Sequence, residues 1–110
     1  MKIAVPIADG KLCLHFGHCQ YFAIFDVENG AVTGRNDVAP PPHAPGVIPR
    51  FLNEQDVAVI LAGGMGQKAL ELFDQFNIQV VIGAPAMEPL KAVEDYLKGS
   101  LQTGANVCEH

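Results

Sequence analysis

"VAVILAGGMGQKALELFDQF", residues 57–76, decides how this chain folds. Residues 57–62 are a continuous apolar run, as expected of a strand covered on both faces. Gly-Gly-Met-Gly at 63–66 is a tight turn. Residues 67–76 then place Ala69, Leu70, Leu72, Phe73 and Phe76 at helical spacing. A strand, a turn and an amphipathic helix in this order form the unit of a parallel sheet, because a parallel neighbour needs a long crossover. "IQVVIGA" (78–84) reads as the next buried strand. "MEPLKAVEDYLKGSL" (87–101) reads as the next helix, through Leu90, Val93, Tyr96 and Leu97, with Gly99 as its C-cap.

Toward the N-terminus the pattern changes to short strands and turns. "KIAVPI" (2–7) is a buried strand ended by "ADG", and "YFAIFDV" (21–27) is a second strand. "ENG" (28–30) is a hairpin turn, which makes the more polar "AVTGRNDV" (31–38) an antiparallel edge strand. "APPPHAPG" (39–46) is a loop, since its prolines remove donors and fix φ. "VIPRFLNEQ" (47–55) is a short helix with Val47, Ile48, Phe51 and Leu52 on one face. The predicted order is ββ(β)αβαβα, an α/β domain over residues 1–110 whose parallel crossovers are expected to be right-handed. Asp26 and Asp56 read as a strand-end residue and a helix-to-strand turn residue.

The whole chain has 110 residues, 49% hydrophobic and 17% charged, so it supports one core and is not disordered. Its net charge is −5, with seven Lys and Arg in total, scattered singly. That balance offers no footprint for a nucleic-acid backbone or an anionic membrane surface. No apolar stretch approaches the length of a membrane span or of a secretory signal, and a cytoplasmic location is expected. Three cysteines argue against a closed disulfide framework.

Soft metal donors are concentrated in two places. Cys13, His15, His18 and Cys19 fall within seven consecutive positions, and Cys108 and His110 lie in the last three. Thiolate sulfur and imidazole nitrogen are the side-chain donors that soft and borderline metals choose. Gly17 lets the backbone bend so that His15 and His18 could converge. The spacing is not that of a zinc finger, which favours a larger or exchangeable metal group over a dedicated structural zinc. His43, in the proline-rich loop, joins this set only if that loop folds beside the first.

The glycine turn has a purely structural reading and two functional ones. Gly64, Gly66 and Ala69 fit a dinucleotide fingerprint, but the turn follows about the fourth strand and no acid suited to a ribose lies downstream. The other functional reading is an anion site built from N–H groups at Gly63, Gly64, Met65 and Gly66, where a helix begins. Catalytic constellations are missing: there is no nucleophile elbow, no P-loop lysine and no visible nucleophile–base pair.

"HFGHCQYFAIFD", "PPHAPGVIPRFL", "AGGMGQKALELF" and "IQVVIGA" together resemble the dinitrogenase iron–molybdenum cofactor biosynthesis family, which includes NifX-like proteins and the C-terminal domain of NifB. The resemblance runs from about residue 1 to 101. Its His-Phe-Gly element falls on His15, Phe16 and Gly17, and its glycine turn on Gly63, Gly64 and Gly66. It implies a ribonuclease H-like three-layer α/β/α fold with a five-stranded mixed sheet. It also implies a non-enzymatic role in binding, carrying or storing metal–sulfur clusters or iron–molybdenum cofactor precursors. Cys13 and Cys19 depart from many members, which have a small or hydroxyl residue at the first position and lack the second cysteine.

The leading expectation is a carrier or scaffold for a cluster of iron, with or without molybdenum, that exchanges it with a donor or recipient protein. Two alternatives stand beside it. One is a protein binding a single zinc-like ion. The other is a metal-free interaction module that uses the "PPPHAPG" loop.

Overall fold

The computed structural model describes residues 1–14, 19–42 and 46–104. Within them lie β1 (Lys2–Ala8), β2 (Lys11–Leu12), β3 (Tyr21–Glu28), β4 (Ala31–Val38), α1 (Val47–Glu54), β5 (Val57–Leu61), α2 (Gln67–Gln75), β6 (Gln79–Val81) and α3 (Pro89–Lys98). The strands form one mixed sheet in the order β4-β3-β1-β5-β6, with β2 paired to β1 off this path. β1, β3 and β4 pair antiparallel, whereas β1, β5 and β6 pair parallel.

The sheet therefore has six strands, not the expected five. The extra one arises at Asp9-Gly10, where both residues have positive φ (54° and 79°), a two-residue hairpin turn. It returns the chain so that Leu12 pairs with Ile7. Asn29-Gly30 repeats the device between β3 and β4, with φ of 53° and 77°. At the helix ends Asp56 and Asn77 take the left-handed conformation (φ 62° and 59°) and turn α1 into β5 and α2 toward β6. Gly99 caps α3 with φ 74°.

Helices cover both faces. Ile3, Val5 and Ile7 of β1 point into a core shared with Phe25, Val59, Leu61 and, from α3, Ala92 and Val93. Ala4 points the other way, into a core with Phe22, Ile60, Leu52 of α1 and Phe73 of α2. Alternate residues of β1 and β3 thus serve opposite cores, which is why these strands read as continuous apolar runs. Among the described residues no polar or charged side chain is fully buried.

The strand directions place the loops. β4 is antiparallel to β3, which is antiparallel to β1, so β4 runs in the direction of β1, β5 and β6. The segments that follow Ala8, Val38, Leu61 and Val81 all leave from one end of the sheet. In open α/β sheets this carboxyl end is where ligands bind.

Candidate functional site

Cys13 and Leu14 after β2, and Cys19 and Gln20 before β3, lie at that end, and two backbone bonds fix these roots to β1. The Cys13 N–H donates to the Pro6 carbonyl (2.8 Å), and the Gln20 N–H donates to the Ile7 carbonyl (2.7 Å). The Gln20 side chain adds a cross-brace, with its Oε1 accepting from the Asp9 N–H at 3.0 Å. The Leu12 N–H donates to the Met87 carbonyl (2.8 Å), tying the same region to the approach to α3.

The cysteines at the roots differ in surroundings. Cys13 is buried, with 6% of its surface exposed. Cys19 is half-buried against the core beneath α1 and α2. Burial pushes the Cys19 thiol up to about 11, and the charge of Cys13 adds to the shift, while a hydrogen bond from its own backbone opposes it. Cys19 is therefore a protonated thiol at neutral pH unless a cation displaces the proton. Beside Cys13 an open cleft of ≈ 340 Å³ lies between Ala8, Lys11, Leu12, Leu14 and Ala86.

The glycine turn sits directly against Leu14. Gly63 is buried, and a Cβ placed on it would lie 2.7 Å from the Leu14 Cα and 3.0 Å from its carbonyl oxygen. Only glycine permits that approach. The Gly63 carbonyl accepts from the Gly83 N–H (2.8 Å), and the Gly83 carbonyl accepts from the Gly104 N–H (2.7 Å). Gly83 has φ 81°, and a Cβ there would collide with the Gly104 backbone. Leu14, Gly63, Gly83 and Gly104 thus form a continuous ridge of close backbone contacts.

Met65 is fully buried in the core with Phe73, so its side chain packs and only its backbone borders the turn. Gly66 is exposed and caps α2 in extended conformation, with no side-chain cap. The first turn of α2 carries Lys68 and no acid. N–H groups of a first helical turn have no partner within their helix, and the helix dipole there favours negative charge.

Of the residues expected to hold metal, the structure places Cys13 and Cys19 at the two roots of one loop. His15, His18, Cys108 and His110 lie outside the described residues, as does His43. Among the described residues no three His, Cys, Asp or Glu side chains gather as a metal site. Sequence reasoning missed Leu14, Gly83 and Gly104. A glycine interrupting the β-branched run "QVVIGA" was the available signal, since such glycines mark close backbone approach.

Comparison with known proteins identifies the class. The solved structure of PH0822 superposes with a TM-score of 0.87 at 28% identity, covering 94% of this chain and 96% of that one. The apo form of the orange protein from Desulfovibrio gigas shares the fold, with a TM-score of 0.74 at 24% identity over 96% of this chain and 93% of that one. An uncharacterised protein of Methanocaldococcus jannaschii is 35% identical over 89 residues, 73% of this chain and 72% of its own length. The family model described as dinitrogenase iron-molybdenum cofactor matches residues 1–99. The chain belongs to that family.

Proposed function

We propose that this chain is a small non-enzymatic carrier or scaffold for a metal–sulfur cluster of iron, with or without molybdenum, which is its cargo. One observation carries this reading: the described ends of both donor-bearing segments meet at the glycine ridge. Leu14, next to His15, lies on Gly63, and Gly104, four residues before Cys108, lies on Gly83. Four residues of chain span at most about 14 Å, so a Cys108 donor would have the ridge within its reach. Cys13 lies near enough to Cys19, across the roots of the first donor segment, to add to the rise of the Cys19 thiol. Residues 39–42 leave β4 at this same end, which puts the approach to His43 there also.

Thiolates and imidazoles would hold the metals, while the N–H groups of exposed Gly66 and of the start of α2 would face the negative charge of sulfide; Gly63, Gly64 and Met65 of the same turn are buried. The net charge of −5 opposes anions at long range, so capture depends on these local dipoles. Family membership supports the cofactor class, and the order β4-β3-β1-β5-β6 with helices on both faces supports the ribonuclease H-like three-layer arrangement. A carrier needs a donor or a recipient protein, and the open cleft beside Cys13 leaves one side of the loop accessible for that exchange.

The test is anaerobic reconstitution with ferrous iron, sulfide and molybdate, followed by elemental analysis and an absorption spectrum. Bound iron with charge-transfer bands is expected, and replacing His15, His18 and Cys19 together with Ala should abolish both. A colourless wild-type chain that takes up no iron under these conditions sinks the proposal. One air-stable, colourless divalent ion per chain would replace it with the single-ion reading.

A further inference from the structure

The ridge contains a contact that the fold does not need for its core. After α3 the chain leaves Gly99 in left-handed conformation, and the Ser100 N–H donates to the Asp95 carbonyl (2.8 Å). Leu101 then packs against the core beneath α3. The segment ends its described course at Gly104, whose N–H donates to the Gly83 carbonyl. Gly83 must lack a side chain for this, because a Cβ would strike the Gly104 backbone. The requirement is one-sided. A Cβ on Gly104 would meet nothing nearer than the Gly83 oxygen at 3.9 Å, and its backbone is outside the left-handed region.

We propose that residues 100–104 are a detachable strap, docked by the Gly104 N–H on the Gly83 carbonyl, whose release opens the ridge and lets bound cargo leave. The docking is thin: one described hydrogen bond at the tip and one half-buried leucine behind it. A single peptide hydrogen bond changes an equilibrium by only about three- to tenfold, which suits a contact that opens and closes. Its position makes opening consequential. Gly83 is bonded to Gly63, and Gly63 supports Leu14 at the root of the donor loop. The retention role rests on the carrier reading, whereas the docking itself does not.

Gly104→Pro removes the donating N–H, and Gly104→Ala keeps it. In the metal-free full chain, chymotrypsin cleavage after Leu101, read as the intact mass of the shortened chain, should be about three- to tenfold faster for Gly104→Pro. For Gly104→Ala it should stay within about twofold of wild type. After loading with ferrous iron and sulfide, loss of iron to a chelator should quicken in the same order. Equal cleavage rates in all three chains overturn the strap. Faster cleavage with unchanged iron loss overturns its role in retention. A wild-type chain that binds no iron removes the carrier reading and the retention role together, while cleavage still decides whether the strap docks.

Discussion

The core beneath α1 and α2 and the glycine ridge at the carboxyl end of the sheet hold the chain together by opposite means. In the core, Phe22, Leu52, Ile60, Met65 and Phe73 are fully buried, and cohesion comes from side-chain volume. On the ridge, Leu14 lies on Gly63 and Gly104 on Gly83, and cohesion depends on side chains being absent. Large residues seal a surface, whereas glycines let backbones approach closely enough to bond one another directly, as Gly63 with Gly83 and Gly83 with Gly104 do. The region expected to handle cargo is built the second way.

Substitutions can break this contrast, and the core should respond most. Phe73→Ala should lower stability by about 3–5 kcal/mol, read from the urea midpoint. A loss below about 1 kcal/mol would mean that side-chain volume does not hold this face. Gly63→Ala adds a single methyl and should still cost about 1–3 kcal/mol, because it meets the Leu14 backbone. Adding Leu14→Ala should not rescue it, since the nearest obstacles are main-chain atoms. Gly66→Ala, three residues on, meets nothing within 4 Å and should cost under about 1 kcal/mol. Equal costs at 63 and 66 would erase the ridge as a distinct device.

Cys19 offers a finer probe, because it sits where core and loop meet. Its folded thiol is raised to about 11 from 9.0, so the folded chain keeps a proton that the unfolded chain has released. The sign follows from linkage: the stabilisation is whole below about pH 9 and is lost as the pH rises through about 11. Wild-type stability minus that of Cys19→Ala should therefore fall across this window, and a flat difference would show that Cys19 is more hydrated than its packing indicates. The smallest effect belongs to the edge strand. Arg35 bonds Asp37 at 2.8 Å at the surface, and its guanidinium lies 5.4 Å from the centre of the buried Phe25 ring. Asp37→Ala should change stability by less than about 1 kcal/mol, and less still in high salt.

Much of the fold was legible because its signals are local. Asn29-Gly30 announces a two-residue hairpin, Asp56 a helix-to-strand turn and Gly99 a C-cap, each through its own φ requirement. The run 57–62 announced a strand buried on both sides. Two-residue β2 went unseen, because "KL" carries no periodicity and its pairing depends on Asp9, a non-glycine residue at positive φ. β6 is shorter than "IQVVIGA" suggested, since Gly83 turns left-handed and the backbone is diverted toward Gly63. Met65 belonged by sequence to the binding turn, but its side chain went to the core.

The site was legible as a donor inventory and not as a place. The sequence by itself determined which residue types were available: thiols, imidazoles, a glycine turn opening a helix, and alternating strands that must be covered on both faces. Those follow from side-chain chemistry and from periodicity, which neighbours along the chain specify. Only the tertiary structure decided that the roots of the first loop, the exit of β4, the turn after β5 and the strap after α3 share one end of the sheet. The reason is physical: β4 and β1 point the same way through two successive antiparallel pairings, and the glycine contacts join residues far apart in sequence.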